Sequence, residues 1–533
     1  MRKILGVVFL GATAAALGCS TSTETGGTGS GEETPGGSLN VAQGGAQDFA
    51  RFRAIVEAGS VPAPETLDPV GFFAEHALDM PPADCGKDVC VHPFLAVAPR
   101  FNGGNWTMGY VTMNTAVKPD DLPHPPVHLA VVVEGSSYTD LLASSLVAPA
   151  AKLLGGLRPE DRVSVIGYEA TATRFSTALA PDDASLPQAF LDAGSSWSGG
   201  GGTEVALYDG IAAAAKAFEE VDAGGFSGEH RILLLTSGHA TAGITDPDLI
   251  VGLGESLARQ GTAFGVVGVG EDFDETIPMA LGSMGAGTYA YALDGSDLGD
   301  ILEAEGQTSL LPLATDFQLQ IKPAKGYRVG RIYGVHRAEA TPDGATLDMP
   351  AVFIGQRSGS ADVGGSRRGG GGGLFIELKA TADAPSIDAN QPAFEVIGSW
   401  DSQVSGGPQD FQTSLLNSLP PGKNPDGMGW SISDESNGKA FMMLNLYLAF
   451  KGVVEFYEAG DCARSLGVVD MMQTSVGAWL GKYSDTDIDS DNNLLLKLRQ
   501  NVLDACSVST SGGAPSVPTP VEPTDFEGGC GFI

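Results

Sequence analysis

The stretch Val127-His128-Leu129-Ala130-Val131-Val132-Val133-Glu134-Gly135-Ser136-Ser137-Tyr138 decides the fold. Its first seven residues are a near-continuous apolar run, the pattern of a parallel strand covered on both faces. The last five make a polar, glycine-containing turn. Downstream, helix-like and strand-like segments alternate: a helix over 140–156, a strand over 163–168, an Ala-rich helix over 205–218 and an apolar strand over 231–236. A helix over 246–259 follows, with Asp246 at its cap and Pro247 in its first turn, then a strand over 263–269 and a helix over 272–284. This alternation predicts a doubly wound α/β domain over 125–306. In open α/β sheets, sites form outside the carboxyl ends of the strands. Three loops are expected there: 134–138, the glycine run 199–202 with Thr203 and Glu204, and Ser237-Gly238-His239.

On either side the apolar period changes to two. Segments 94–97 and 106–113 come before a boundary marked by Pro119, Pro123, Pro125 and Pro126; segments 317–322, 327–333, 351–354 and 374–378 come after it. They predict an N-terminal extension over 46–124, with a helix and strands, and an antiparallel β-sandwich over 307–412. The α/β domain is then inserted in the β domain or flanked by it. Residues 413–506 read as a helical region and 507–533 as a polar tail. The apolar segment 440–449 is ended by Lys451 and Glu455, too short for the ~20 residues of a membrane-spanning helix.

The first residues read as a secretory signal: Met1, Arg2 and Lys3, then an uncharged run to Leu17. The closing Ala16-Leu17-Gly18-Cys19 resembles the bacterial lipobox, with Ala16 where Leu is commoner. That resemblance implies removal of 1–18, a diacylglyceryl thioether and an N-acyl (palmitate) chain on Cys19, and stable membrane anchoring by several chains at ~0.8 kcal/mol per buried CH2. Ser20, not Asp, follows Cys19, which resembles lipoproteins bound for the outer membrane. Residues 19–45, rich in Ser, Thr, Gly, Glu and Pro, read as a flexible tether with a reach of ~25–30 Å.

The chain has 65 acidic against 30 basic residues, a formal charge of −35. Loss of Arg2 and Lys3 makes it −37 (−35 − 2). DNA, RNA and anionic lipid headgroups are poor partners for such a surface. An oxidising envelope permits disulfides: Cys85 with Cys90 as a loop clip and Cys462 with Cys506 as a staple between helices are plausible, leaving Cys530 over, but sequence does not fix connectivity.

Other residues sharpen the α/β reading. Leu157-Arg158-Pro159-Glu160-Asp161-Arg162-Val163-Ser164-Val165, Gly201-Gly202-Thr203 and Gly268-Val269-Gly270-Glu271-Asp272-Phe273-Asp274 resemble the von Willebrand factor type A domain. Ala314-Thr315-Asp316 and Arg328-Val329-Gly330-Arg331-Ile332-Tyr333-Gly334-Val335 extend the resemblance to a bacterial lipoprotein version, over most of 46–400. It implies a metal-ion-dependent adhesion site at the sheet edge, with Asp-x-Ser-x-Ser, a Thr and an Asp around Mg2+, and a partner's carboxylate in the open position. Glu134 stands at the first Asp, Ser136 matches the first Ser, Tyr138 stands at the second, Thr203 matches the Thr, and Ser237 stands at the last Asp. Mg2+ demands near-ideal octahedral oxygens, so this set predicts a degenerate, metal-free site with Mg2+ as the lesser alternative.

Weaker patterns remain. Asp485, Asp487, Asp489 and Asp491 alternate like a calcium loop, but Ser490 and Leu496 replace the required Gly and Glu; a solvated loop capping a helix from Asn492 is expected. Gly268-Val269-Gly270 lacks the third glycine of a dinucleotide fingerprint, and the glycine run before Thr203 lacks the Lys of a P-loop. The function expected is a non-enzymatic, lipid-anchored envelope module that binds an unidentified protein through the edge loops without a cofactor. The alternatives are a hydrolase built on Ser237, His239 and Glu134, and a purely structural envelope protein.

Overall fold

The computed structural model describes residues 38–44, 49–76, 78, 80–139, 145–195, 202–270, 272–292, 295–306, 311–355, 371–381, 388–417, 435–507, 518–519 and 521. The signal segment, Cys19, the tether as far as residue 37, most of the glycine run before Thr203 and Cys530 lie outside the described residues.

The chain begins with β1 (Leu39–Gln43), α1 (Ala50–Glu57), α2 (Pro69–Ala74), β2 (Cys90–Pro99) and β3 (Asn105–Thr115). Residues 39–43, part of the expected tether, instead form a strand in which Leu39 and Val41 are buried. The apolar run quoted above is β4 (Val127–Glu134), buried throughout. Then come α3 (Val147–Gly155), β5 (Arg162–Tyr168), β6 (Ala172–Leu179), α4 (Leu186–Ser195), α5 (Leu207–Ala223) and β7 (Glu229–Thr236). The unit continues through α6 (Pro247–Ala258), β8 (Ala263–Val269), α7 (Thr276–Gly282), β9 (Thr288–Ala292) and α8 (Gly295–Ala304).

These strands form a six-stranded sheet in the order β6-β5-β4-β7-β8-β9. All pairs are parallel except β5–β6. Alternate residues along each strand point to opposite faces. Ala130, Val132, Ile232 and Leu234 pack with Ile211, Ala214 and Ile250 of α5 and α6. Leu129, Val131, Leu233 and Leu235 face Leu153, Phe190 and Leu302 of α3, α4 and α8. Two apolar faces per strand explain why the runs lack a period of two. The Asp246 carboxylate caps α6 by accepting the Asp248 N–H. α7 starts later than residue 272, because the Asp274 carboxylate takes the Thr276 N–H at 3.0 Å.

After this unit come β10 (Ala314–Pro323), β11 (Tyr327–Tyr333), β12 (Arg337–Thr341), β13 (Gly344–Ile354), β14 (Leu374–Ala380), β15 (Asp388–Ser402) and β16 (Gly407–Asn417). β16 runs past residue 412, into the span expected to be helical. With β1, β2 and β3 these strands make a ten-stranded antiparallel sheet, β11-β14-β3-β1-β13-β10-β15-β16, with β12 beside β13 and β2 beside β3. β1 is the hinge of the order: Leu39 and Asn40 pair with β3, while Val41–Gln43 pair with β13. Strands from before and after the α/β unit therefore share one sheet.

The chain closes with α9 (Glu435–Glu458), α10 (Cys462–Leu480) and α11 (Thr486–Ser507). α9 is long and apolar enough to cross a membrane by composition, but 78% of that window is buried inside the protein. Its Phe450 ring meets Phe49, Phe52 and Phe72 of the N-terminal segment, as a core helix would. α1 is shared: Phe52 and Val56 belong to this helical core, while Ala50 packs in the core of the α/β unit.

Residues 485–491 correct the sequence reading. α11 begins at Thr486, not at Asn492. The Asp485 carboxylate caps it, accepting the N–H groups of Asp487 and Ile488 at 3.0 Å. Asp487 and Asp491 are buried rather than solvated: Asp487 meets Lys439 at 2.7 Å, and Asp491 meets His76 at 2.7 Å. Disulfides join Cys85 to Cys90 and Cys462 to Cys506.

Candidate functional site

The carboxyl ends of β4, β7 and β8 bring together the loops carrying Glu134, Ser237 and Asp272. The Asp274 N–H donates to the Ser237 carbonyl at 2.9 Å, the Ser137 N–H to the Gly202 carbonyl at 3.2 Å, and the Thr241 hydroxyl to the Thr203 carbonyl at 2.6 Å. Two glycines permit this closeness. Gly238 (φ +81°) would place a Cβ 1.8 Å from the Asp274 carbonyl oxygen, and Gly270 (φ +99°) would place one 2.1 Å from that of Tyr138. Both conformations are left-handed, where side chains other than glycine are strained.

Glu134 is the centre of this edge and is fully buried. A buried carboxylate needs several good donors to offset lost hydration, and here it has them. Oε1 accepts from the hydroxyls of Ser136 and Ser237, the latter at 2.6 Å. Oε2 accepts from the Ser237 N–H at 2.7 Å and the Thr236 hydroxyl at 2.9 Å, with the Tyr168 hydroxyl 3.3 Å away. Burial, with the Glu134 charge adding to it, pushes the Tyr168 hydroxyl well above its ordinary value, so it remains a donor. The Ser136 hydroxyl also accepts the Tyr138 N–H at 3.2 Å.

These residues do not fit Mg2+. Both oxygens of the only carboxylate at the five family positions are occupied by protein donors. Ser237, at the position of the second carboxylate, spends its hydroxyl on the first. The Thr203 residue is exposed, and the contact it makes with the next loop is through its carbonyl. Among the described residues, no group of three His, Cys, Asp or Glu is placed to hold a metal ion.

Nor is a nucleophile prepared. Ser237 donates to Glu134, whereas His239 Nε2 lies 2.9 Å from the Asp272 carbonyl oxygen and 3.7 Å from its carboxylate. The His239 ring packs on Tyr138 with centroids 4.4 Å apart. The Tyr138–His239 stack and the Tyr168–Thr236 brace have no signature in the local sequence. Tyr168 lies at the end of a strand, and only its register beside Glu134 reveals its part.

No family model matches the chain. A curated protein, "Uncharacterized protein YfbK" of Escherichia coli (strain K12), is 26% identical over 211 residues, 38% of this chain and 35% of that protein. The chain thus matches about a third of that relative's length. Among solved structures, "von Willebrand factor type A from Catenulispora acidiphila" aligns with a TM-score of 0.46 at 16% identity, covering 78% of this chain and 96% of that one. The "ArnB paralog VWA2 from Sulfolobus acidocaldarius" aligns at 0.40 and 13% identity, covering 78% and 98%. At these scores the likenesses add nothing to what the strand order already shows.

Proposed function

We propose that the chain is a lipid-anchored envelope module that binds another protein through the loops at the carboxyl edge of its six-stranded sheet, without a metal ion. The Glu134 network carries this reading. Four donors converge on one buried carboxylate, with the Tyr168 hydroxyl donating to that of Thr236 behind them, which gives a rigid edge that no cation has to complete. The α/β fold with loops fixed by close backbone contacts supplies a preorganised binding face, and preorganisation lowers the ordering cost of association. Of the degenerate adhesion-site positions, Glu134, Ser136 and Ser237 are then a structural brace beneath that face, while Tyr138 and Thr203 lie on it. The anchor follows from Cys19, with the outer membrane as destination.

The hydrolase reading is weaker, because Ser237 lacks a hydrogen-bonded imidazole to accept its proton. The test is capture from envelope membranes by the full chain and by variants in the exposed edge loops, with and without EDTA. Specific capture that survives EDTA and is lost on altering the edge supports the proposal. Capture abolished by EDTA, or unaffected by the edge, overturns it. For the anchor, Cys19→Ala should shift the protein to the soluble fraction; retention on membranes in high salt would sink that part.

A further inference from the structure

Gly270 and residues 272–275 form the keystone of the edge. Gly270 lies against the Tyr138 carbonyl, with no room for a Cβ. The Asp274 N–H donates to the Ser237 carbonyl, and the Asp272 carbonyl meets His239 Nε2. This one loop therefore touches both the loop after β4 and the loop after β7. Its own position is fixed from behind. The Phe273 ring is buried, fills the space that Gly268 leaves open, and lies 5.5 Å from the Tyr291 ring. The Tyr291 hydroxyl donates to the Gly270 carbonyl at 2.7 Å.

The element behind these rings comes from outside the α/β unit. Arg51 of α1 places its guanidinium 5.3 Å from the centre of the Tyr291 ring and 5.9 Å from that of Phe273, within the range of cation–π attraction. Its Nη1 stands 3.5 Å from the Tyr291 hydroxyl. Burial raises the Glu275 carboxyl above its ordinary value, and the Arg51 charge opposes that rise. One cation thus acts on Phe273, Glu275 and Tyr291 together. α1 is in turn seated by the helical region. Residues two apart on an α-helix lie about 200° apart around its axis, and Arg53 turns to Glu75 and Asp491 instead. The Asn501 amide of α11 donates to the Val56 and Ser60 carbonyls at 2.8 Å, and Lys497 of α11 pairs with Glu57.

Resting on the reading of this edge as the binding face, we infer that Arg51 is a positioning residue for that face and that the seating of α1 on α11 regulates it. With α1 seated, Arg51 holds the keystone loop, and through it Tyr138, Ser237 and His239, in one arrangement. Withdrawal of Arg51 frees the loop and raises the ordering cost of binding. The link is reciprocal, so a partner on the edge tightens the seat of α1.

The test follows hydrogen exchange by mass spectrometry in the full chain in neutral detergent, which needs no partner, beside capture from envelope membranes. Arg51→Ala should raise exchange about tenfold in 134–139, 236–240 and 272–276 and leave 314–322 of β10 unchanged. It should weaken capture about fivefold or more. Arg51→Lys keeps a cation over the rings and should restore most of both. Arg259→Ala, which removes the same charge at an exposed site on the far end of α6, should alter neither. A rise spread evenly over the chain, or none at 272–276, overturns the inference, because Arg51 would then be a general brace or idle. If exchange rises there yet capture is unchanged while edge-loop variants abolish it, the regulation is wrong and the edge remains the binding face. If edge-loop variants also leave capture unchanged, or the wild-type chain captures nothing, the reading of the edge falls and the inference with it.

Discussion

His76 and Asp491, 415 residues apart in the chain, meet at 2.7 Å between Nε2 and Oδ2, both fully buried. The other ring nitrogen of His76 faces the Phe72 carbonyl at 3.0 Å. Arg53 lies 3.7 Å from the second Asp491 oxygen and 2.6 Å from Glu75. The cluster ties α1 and α2 to α11. Asp491→Ala removes the anion that both His76 and Arg53 face, and should destabilise the protein by about 3–5 kcal/mol. Urea unfolding checks this. The double variant His76→Leu, Asp491→Leu should recover part of the loss, and additive losses would show that the pair is not coupled.

Glu134 gives the metal prediction. Calorimetric titration of the purified chain with Mg2+ or Mn2+ should show no saturable tight binding. Glu134→Ala should cost about 3 kcal/mol or more, because the Ser136, Thr236 and Ser237 donors lose their shared acceptor inside the protein. Tight binding of either ion that disappears in Glu134→Ala or Thr203→Ala would reverse this account.

His128, buried at the other end of β4, sets a pH dependence. Burial, reinforced by His230, lowers its pKa from 6.5 to about 4. The folded state disfavours the proton that the unfolded state accepts, so the contribution of His128 is complete above pH 6.5 and declines as pH falls toward 4. Across that window the loss is about 3 kcal/mol at most. His128→Leu should flatten the pH dependence of Tm there. An unchanged slope would place the titration on other groups.

The two disulfides close loops of very different size. Cys462 and Cys506 are 44 residues apart, Cys85 and Cys90 only 5. Loop-closure entropy gives about 4 kcal/mol for the first and about 2 kcal/mol for the second. Replacing Cys462 and Cys506 by Ser should therefore lower the denaturation midpoint more than the same change at Cys85 and Cys90. The reverse order would mean that the unfolded chain is not what these bonds chiefly restrain.

What could be read in advance followed from local pattern. The runs at 127–133, 231–236 and 263–269 announced strands because both faces are buried, and Asp246-Pro247 announced a helix start because cap chemistry is local. Residues 485–491 misled for the opposite reason. Four alternating aspartates look solvated until Lys439, Arg53 and His76 arrive from distant segments. At the edge, Glu134 and Ser237 were visible as departures from a family pattern. That they bond to each other, and that Tyr168 and Thr236 complete the brace, depends on strand register, which no local window contains.

The pairing of Val41 with Ile354 has a consequence for the order of assembly. The six-stranded sheet is built wholly from residues 127–292, so it can form as soon as that stretch is available. The ten-stranded sheet cannot: β2 and β3 can pair as neighbours and Leu39 and Asn40 can join β3, but the remaining edges of β1 and β3 must wait for β13 and β14, more than 200 residues later. Pairings that span such distances form slowly. A growing chain therefore passes through a stage with a finished α/β unit and an unpaired edge on each of β1 and β3, the stage at which it is most prone to pair with the wrong neighbour.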